Sequence, residues 1–310
     1  MGIPDHDSCL LWWIAADYYG NYRNLYWQDV YAKQESSELY YSFYQFEKSP
    51  LMILLSFDIE EFDMPFEYRK TIPFADQIAV SLKGSHIILD LLQKYQFRAT
   101  FFSTVVFAQQ VPEIIERIKN EGHELASHSY YHSQFEPGDL LKSRKELERL
   151  SNMQVRGFRM PRMMPIDSQQ IIDAGYTYDS SVNPTWIPGR YNNLDSPRTV
   201  FKKSRLFYVP ASVTPWLRIP LFWLSMHNFP IQLYLYFLKK TYKKDGYINI
   251  YFHPWEFTDL TPAKYGLPNF VKRNSGEKMI IRMASLMDWI KKERHTCTTL
   301  GAFVAGHDES

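Results

Sequence analysis

The sequence places four carboxylates within six residues: Asp58, Glu60, Glu61 and Asp63 stand directly behind an apolar run. The segment Met52–Phe57 is almost uninterruptedly apolar, which predicts a buried strand. Asp58 and Glu60 therefore lie at or just past the carboxyl end of that strand. Because ligands bind at this edge of the sheet in α/β folds, the acids are candidates for chemistry, although a solvated turn would also explain them.

Two histidines four residues apart, His128 and His132, follow the predicted third strand in the segment HELASHSYYHS. In a helical turn, side chains at this spacing face the same way, so one metal ion could bind both imidazoles. The pair alone is a weak signal. Glu60 offers a carboxylate from the first strand, and two histidines with one carboxylate form a metal site that leaves positions for water and substrate.

Three more polar side chains follow later predicted strands: Arg159 in GFRMPRM, Asp179 in YDSS and His253 in YINIYFHPWEF. An arginine among buried acids keeps one carboxylate ionised and fixes its direction. Each residue alone is unremarkable, because most such side chains are solvated or belong to the core. Together with Asp58 and His128, however, they all follow the carboxyl ends of successive strands, which is the catalytic face of a barrel.

The elements that must position these residues alternate between strand and helix from Met52 onward. Strands or strand-like runs are predicted over residues 52–57, 97–105, 123–127, 155–158, 176–180, 207–213, 247–253 and 298–304, and helices over residues 80–95, 112–120, 140–150, 168–174 and 278–292. This alternation predicts an α/β fold of mostly parallel strands with helices outside them. About seven strands in some 250 residues favour a barrel over an open sheet.

The composition of the 310 residues bears on the partners and the location that we expect for the protein. The formal net charge is +1, so the charge balance gives no indication of nucleic-acid binding. Cys9 and Cys297 are too few for a disulfide framework, which favours a reducing compartment and predicts a cytoplasmic location. No basic signal region and no run of about 18 apolar residues is present, so neither a cleaved signal nor a membrane span is predicted.

Residues 1–50 differ from the rest of the chain. Thirteen of these fifty residues are aromatic, against 16% for the whole sequence, and neither the helical nor the strand period is clean. We interpret them as an aromatic-rich N-terminal extension that need not belong to the fold. Residues 51–310 are predicted to form the barrel domain.

The segment 216–240 is the most apolar of the chain, and it is interrupted at Pro220 and Pro230. One interpretation is a pair of packed helices that cover one end of the barrel, because prolines disfavour a continuous spanning helix. The other is a peripheral contact with a membrane or with a lipid-bearing substrate, which the basic run KKTYKK at its end would assist.

The motifs SFDIEE, HSYYH, RMPR, YDSS and FHPWE, in this order, resemble the five motifs of the NodB-like polysaccharide deacetylases, carbohydrate esterase family four. The resemblance covers roughly Leu51 to Val304. It implies a distorted (β/α)7 barrel and a metal-dependent hydrolase that removes N- or O-acetyl groups from polymeric sugars.

The resemblance also implies roles for individual residues. Asp58 matches the general base and His253 the general acid. His128 and His132 match metal ligands. The remaining assignments are orientation of Asp58 by Arg159, pairing of His253 with Asp179, and an oxyanion donor in the backbone N–H of Arg162. Separately from the resemblance, aromatic residues such as Trp186, Trp216 and Trp255 could stack on sugar rings or equally belong to the core.

One departure from the family pattern concerns the first motif, which usually has two adjacent aspartates. Here Ile59 occupies the second place. Because side chains alternate along a strand, Asp58 and Glu60 point the same way while Ile59 enters the packing, so we predict Glu60 as the metal ligand, with Glu61 as the rival. Asp63 is assigned to a solvated loop. The third and fourth motifs depart as well, with Arg162 and Val182 at positions where aromatic residues are common.

The predicted cofactor is a divalent ion, with zinc as the first choice and cobalt, nickel or manganese compatible with the same ligands. The predicted substrate is an acetylated polysaccharide or lipid-linked oligosaccharide. Two alternatives stay open: an amidase acting on a small non-sugar C–N bond, and a sugar-binding protein with lost or weak turnover.

Overall fold

The computed structural model describes residues 52–188 and 190–308. The predicted N-terminal extension, residues 1–50 with Cys9, lies outside these described residues. The described residues fall within the predicted barrel domain, residues 51–310.

A single curled sheet forms the centre of the described chain, with strand order β10-β1-β2-β3-β4-β5-β9-β8 and β11 beside β1. Every pairing in it is parallel except that of β8 with β9, and a separate antiparallel hairpin joins β6 to β7. The strands are β1 (Met52–Ile59), β2 (Thr100–Ser103), β3 (Glu124–Ser127), β4 (Gly157–Phe158), β5 (Tyr178–Asp179), β6 (Trp186–Ile187), β7 (Tyr191–Asn192), β8 (Phe201–Lys203), β9 (Leu206–Tyr208), β10 (Tyr247–Phe252) and β11 (Thr296–Thr298). The predicted fold class, a distorted barrel of parallel strands, is confirmed.

The sheet curls without a continuous ladder between β9 and β10. The gap is bridged after β9, where the N–H of Ser212 donates to the carbonyl of Asn249 at 2.7 Å. The Asn249 side chain donates in turn to the carbonyls of Val209 and Pro210 at 3.0 and 3.1 Å. These contacts hold the chain after β9 beside β10, so the two ends of the curled sheet lie side by side and their strands face a common space.

Helices surround the sheet between successive strands. They are α1 (Met64–Glu67), α2 (Phe74–Tyr95), α3 (Val105–Gln110), α4 (Pro112–Asn120), α5 (Asp139–Ser151), α6 (Ser168–Asp173), α7 (Trp223–Asn228), α8 (Ile231–Asp245), α9 (Asn269–Lys272), α10 (Glu277–Lys292) and α11 (Leu300–Asp308). Short 3₁₀ turns cover Pro161–Met163, Pro254–Phe257 and Ala263–Tyr265.

The alternation of side chains in β1 separates the core from the site. Ile53 and Phe57 pack in the cluster formed with the surrounding helices. Leu54, on the other face, packs with Phe102 and with Phe303 of α11. Asp58 shares the parity of Leu54, so the strand period directs it into the interior of the curled sheet.

One predicted element is wrong. The run 298–304 is not a strand, because β11 ends at Thr298 and Leu300 begins a helix. The first N–H groups of this helix have partners elsewhere in the fold: Leu300 N–H donates to Thr100 Oγ1 at 2.9 Å, and Gly301 N–H donates to Glu124 Oε2 at 2.9 Å. These contacts satisfy donors that a helix leaves open at its start, and no local pattern could have revealed them.

The apolar segment 216–240 contains α7 and the greater part of α8, separated by Pro230. Met226 and Leu238 are fully buried, in agreement with the interpretation as packed helices, whereas Trp216 is 91% exposed. Among the helices of the described ranges, none has the length and apolar character needed to cross a membrane. The membrane contact of this segment stays a prediction.

Candidate active site

Strand register brings the predicted site residues to one edge of the sheet. Asp58 pairs with Phe102 of β2, and Phe158, next to Arg159, pairs with both Ser127 and Asp179. His128 and His253 directly follow β3 and β10. Because all these strands are parallel, side chains that follow their carboxyl ends meet in one place.

Glu60, His128 and His132 converge as predicted for a metal site. One carboxylate oxygen of Glu60, Oε2, lies 3.1 Å from Nε2 of His128 and 3.1 Å from Nε2 of His132. The three ligand atoms all lie within 4.8 Å of one another. The structure therefore brings together the two-histidine, one-carboxylate set.

The backbone between the two histidines is not the predicted helical turn. Residues 128–132 form a loop in which Ser129 has a φ of +68°. Backbone N–H groups at the start of α3 hold this loop. The N–H of Val105 donates to the carbonyl of Ser129 and the N–H of Val106 to the carbonyl of Tyr130, each at 3.2 Å. The imidazole rings nevertheless lie 5.6 Å apart, so the loop achieves what the helical spacing was expected to achieve.

Hydrogen bonds on the far side of each ring orient the two imidazoles. Nδ1 of His128 lies 2.9 Å from the carbonyl of Arg159, and Nδ1 of His132 lies 2.8 Å from the carboxylate of Asp63. Both acceptors require a proton on Nδ1, so Nε2 is the ring atom that faces Glu60 and is available to a cation. This is the arrangement of metal-binding histidines in proteins.

A second observation supports a divalent cation at these three residues. Oε2 of Glu60 is buried and makes no hydrogen bond among the described residues. Burial alone would raise the pKa of Glu60, but the electrostatic interactions with His132 and His128 outweigh burial, so the pKa is lowered. A buried carboxylate oxygen beside two imidazole nitrogens that release their protons when a metal binds has the donor chemistry that a divalent cation requires.

The assignment of Asp63 to a solvated loop is wrong. Asp63 is only 4% exposed, and it also accepts from Nη2 of Arg162 at 2.8 Å. Burial raises the pKa of the Asp63 carboxyl, but the interactions with His132 and Arg162 are stronger and lower it. Its four-residue distance from the strand end gave no indication of this role in the sequence.

Glu61, the rival ligand, faces another part of the molecule. Its Oε2 accepts from the hydroxyl of Thr104 at 2.6 Å. Burial raises its pKa. Ile59 is fully buried in the core, as the strand period predicts. The alternation of side chains therefore places Glu60, and not Glu61, beside the histidines.

Arg159 is fully buried and binds Asp58 as expected. Nη1 of Arg159 donates to Oδ1 of Asp58 at 2.5 Å, while Nη2 donates to the hydroxyls of Ser56 and Ser180, each at 3.0 Å. The guanidinium also lies 4.0 Å above the ring of Phe102. Because a charge-assisted hydrogen bond fixes the carboxylate, the second oxygen of Asp58 has a defined direction.

The predicted pairing of His253 with Asp179 is wrong. Nδ1 of His253 lies 3.0 Å from Oε1 of Glu256, while Nε2 lies 3.9 Å from Oδ2 of Asp58. Burial alone would lower the pKa of His253, but the hydrogen bond to Glu256 and the neighbouring carboxylates raise it above the ordinary value. The spacing of histidine and glutamate in FHPWE was visible in the sequence, but a 3₁₀ turn is needed to bring them together.

Asp179 has a different set of contacts. It accepts from the N–H of Ser181 at 3.0 Å and from the hydroxyl of the same serine. That hydroxyl accepts from the N–H of Met160 at 2.8 Å, next to Arg159. Burial raises the pKa of Asp179 to about 6. Its contacts thus support the chain around Arg159 instead of the imidazole of His253.

Arg162 and Trp255, predicted to contact substrate, occupy different environments. Arg162 lines the cavity and forms ion pairs with Asp63 and Glu67. Its backbone is left-handed, with φ +57°. Trp255 is only 1% exposed, its indole N–H donates to Oε1 of Glu60 at 3.3 Å, and its ring stacks on His253. Trp255 therefore supports the site and offers little surface to a sugar.

A cavity of about 250 Å³ adjoins these groups. Its polar wall includes Asp58, Glu60, His128, His132 and His253. Apolar side chains, among them Phe222 and Trp223, also line it. The arrangement places a carboxylate, an imidazole and three candidate metal ligands around a volume that can hold a small group of a larger substrate.

Comparison with known proteins bears on these features. A family model described as polysaccharide deacetylase matches residues 82–164. The peptidoglycan-N-acetylmuramic acid deacetylase PdaA of Bacillus subtilis is 40% identical over 45 residues, which are 14% of this chain and 17% of that protein. The peptidoglycan-N-acetylglucosamine deacetylase of Bacillus cereus is 32% identical over 81 residues, 24% of this chain and 30% of that protein. The chain thus matches less than a third of the length of either relative.

Solved structures extend the comparison to the fold. A probable polysaccharide deacetylase from Pseudomonas aeruginosa PAO1 superposes with a TM-score of 0.58 at 12% identity, over 83% of this chain and 90% of that chain. The PuuE allantoinase superposes with a TM-score of 0.56 at 13% identity, over 81% and 88% of the two chains. At these identities the likeness concerns the fold, and together with the family model it confirms the resemblance predicted from the motifs.

Proposed function

We propose that this chain belongs to the polysaccharide deacetylase family, whose model matches residues 82–164, and that it is a metal-dependent hydrolase that removes acetyl groups from a polymeric sugar. The observation that carries the proposal is the convergence of Glu60, His128 and His132 on one point of the cavity that also holds Asp58 and His253. These are the ligands and the two proton-transfer groups that such a hydrolysis needs.

The metal would be held by Glu60, His128 and His132, with zinc as the first choice and cobalt, nickel or manganese compatible with the same donors. A bound divalent ion supplies Lewis-acid polarisation and makes water more acidic. The hydrogen bonds from His128 to Arg159 and from His132 to Asp63 keep both rings in the ligating tautomer.

Asp58 is the proposed general base. Its Oδ1 is held by Arg159, so Oδ2 is directed into the cavity, where it accepts a proton from the attacking water. Full burial of Arg159 prevents the guanidinium from turning away to solvent. Its three contacts with serines fix the plane of the guanidinium and thereby the position of the carboxylate.

His253 is the proposed general acid. It lines the same cavity as Asp58, with Nε2 3.9 Å from Oδ2 of Asp58, and its raised pKa favours the protonated ring. In this role Nε2 gives its proton to the leaving amine or alcohol as the bond to the acetyl carbon breaks. The backbone N–H of Arg162 is the proposed additional donor to the developing oxyanion.

The proposed substrate is an acetylated saccharide, either a polysaccharide or a lipid-linked oligosaccharide. Two relatives named as peptidoglycan deacetylases support the sugar class. The apolar wall formed by Phe222 and Trp223 suits the methyl group of an acetyl and the carbon face of a sugar ring. The size of the cavity, about 250 Å³, also supports a second candidate, an amidase acting on a small molecule.

The test is release of acetate from acetylated oligosaccharides by the metal-loaded protein, measured beside release of ammonia or formate from small amides. Asp58→Asn is expected to lower acetate release by about 10²- to 10⁴-fold, because it removes the base. Asp90→Asn, a change at a surface ion pair, is the matched control. Acetate release by Asp58→Asn at the parent rate would contradict the assignment, and ammonia release alone would favour the amidase.

A further inference from the structure

A buried polar chain runs from the cavity into the core behind His253. Oε1 of Glu256 lies 3.0 Å from Nδ1 of His253, and Oε2 of Glu256 lies 3.0 Å from Nε2 of His227. Glu256 and His227 are both fully buried. Neither of them lines the cavity, so they reach the reacting groups only through His253.

Two elements build this chain. His227 stands near the end of α7, and Glu256 belongs to the 3₁₀ turn that follows β10. The carboxylate of Glu256 also accepts the backbone N–H of His253 at 2.6 Å. One side chain therefore fixes both the backbone and the ring of His253, while His227 fixes that side chain.

The protons in this chain have a defined arrangement. An ionised carboxylate only accepts hydrogen bonds, so the proton on His253 that faces Glu256 must reside on Nδ1. Nε2 of His227 is likewise the donor to Glu256. Burial alone would raise the pKa of Glu256, but the hydrogen bonds from His227 and His253 outweigh burial and lower it. Two donors are thus what keeps a fully buried carboxylate ionised.

Aromatic rings exclude water from the same place. The ring of Trp223 lies edge-on to His227 and to His253, with centroid distances of 5.8 and 5.6 Å. Trp255 stacks on His253 at 4.7 Å. Since no water can easily substitute for a missing donor there, loss of His227 would leave one oxygen of Glu256 without a partner.

We propose that His227, acting through Glu256, is a positioning residue that holds the ring of His253 with Nδ1–H towards Glu256 and Nε2 towards the cavity, the orientation from which Nε2 can protonate a leaving group. The inference rests on the proposed function of His253 as general acid. It concerns a residue outside the five motifs, because His227 lies in the apolar segment 216–240.

The experiment uses the full-length, metal-loaded protein with His227→Phe, which keeps a ring without the donor, and His227→Gln, which restores an N–H. Turnover is measured on an acetylated amino-sugar oligosaccharide and on an aryl acetate whose leaving group needs no proton. We expect His227→Phe to lower kcat on the sugar by about 10- to 100-fold, as for other supporting partners of a site, with KM nearly unchanged. The aryl acetate rate should stay within about twofold, and His227→Gln should recover part of the sugar activity.

Equal losses on both substrates, or no loss on the sugar, would overturn the proposal. Imidazole ¹⁵N NMR provides a readout that does not depend on turnover: His253 should carry its proton on Nδ1 in the parent and lose this preference in His227→Phe. An unchanged His253 signal in a folded variant would also overturn it. Absence of sugar deacetylation by the parent protein would instead contradict the proposed function, and the NMR comparison would still decide the role of His227.

Discussion

The imidazole of His132 is held between two carboxylates, with Nδ1 2.8 Å from Asp63 and Nε2 3.1 Å from Glu60. These two contacts give the ring a single orientation. They outweigh the effect of burial and raise the pKa of His132 to about 9. Asp63 is therefore part of the proposed metal centre, although it binds no ion itself.

Loss of Asp63 should weaken the metal site without removing a ligand. We expect Asp63→Ala to reduce zinc affinity by about 10- to 100-fold, because His132 loses the partner that orients it. Competition with a chromogenic chelator measures the affinity directly. Asp259→Ala, at an exposed position, provides the control. Unchanged zinc affinity in Asp63→Ala would show that the hydrogen bond to His132 does not support the site.

The adjacent glutamates give a matched pair for identifying the carboxylate ligand. Glu60→Gln removes the charged oxygen beside both histidines and should abolish stoichiometric zinc binding. Glu61→Gln should retain it, since Glu61 binds Thr104. Metal content after gel filtration distinguishes the two variants. Zinc bound equally by the parent and by Glu60→Gln would contradict the proposed ligand set, and no zinc in the parent would favour the alternative of a sugar-binding protein.

The buried ion pair of Arg159 and Asp58 should be sensitive to loss of one partner. Arg159→Met leaves Asp58 without its cation, and we expect the free energy of unfolding to fall by about 3–5 kcal/mol. Adding Asp58→Asn to that variant removes the unpaired charge and should restore part of the loss. Urea unfolding of the two single variants, the double variant and the parent gives the coupling. Strictly additive effects would contradict a direct interaction.

Asp179 should make stability depend on pH. Its pKa is raised to about 6 in the folded chain by burial, so the folded state binds more protons than the unfolded state between about pH 4 and 6. Stability from this group is present at low pH and is lost as the pH rises through that window, by roughly 3 kcal/mol.

Asp179→Asn should lack this loss, since the amide oxygen can still accept from Ser181. The variant should gain stability relative to the parent on going from pH 4 to pH 7, as measured by urea unfolding at both values. Asp173→Asn on the outside of α6 should follow the parent. A parent and an Asp179→Asn variant with parallel pH profiles would contradict the raised pKa.

Much of the candidate site was predictable because strands and their ends are local features. The period of two in β1 separates Ile59 from its neighbours and aligns Asp58 with Glu60. Parallel strands then bring His128, Arg159 and His253 to the same edge, whatever the details of the loops. Apolar runs that can form either a strand or a helix are harder to assign from sequence. Within the predicted strand 298–304 a helix begins at Leu300, and Thr100 and Glu124 accept its first N–H groups.

The sequence by itself determined where the main parallel strands lie along the chain, which polar residues follow them and on which face Glu60 lies. These features depend on periodicity and on neighbouring residues. Only the tertiary structure decided which groups complete each contact. Asp63 reaches His132 across 69 positions, and Glu256 is joined to His227 across 29. Such pairs have no common local pattern, since packing of distant elements brings them together and burial then demands that each charge and donor find a partner.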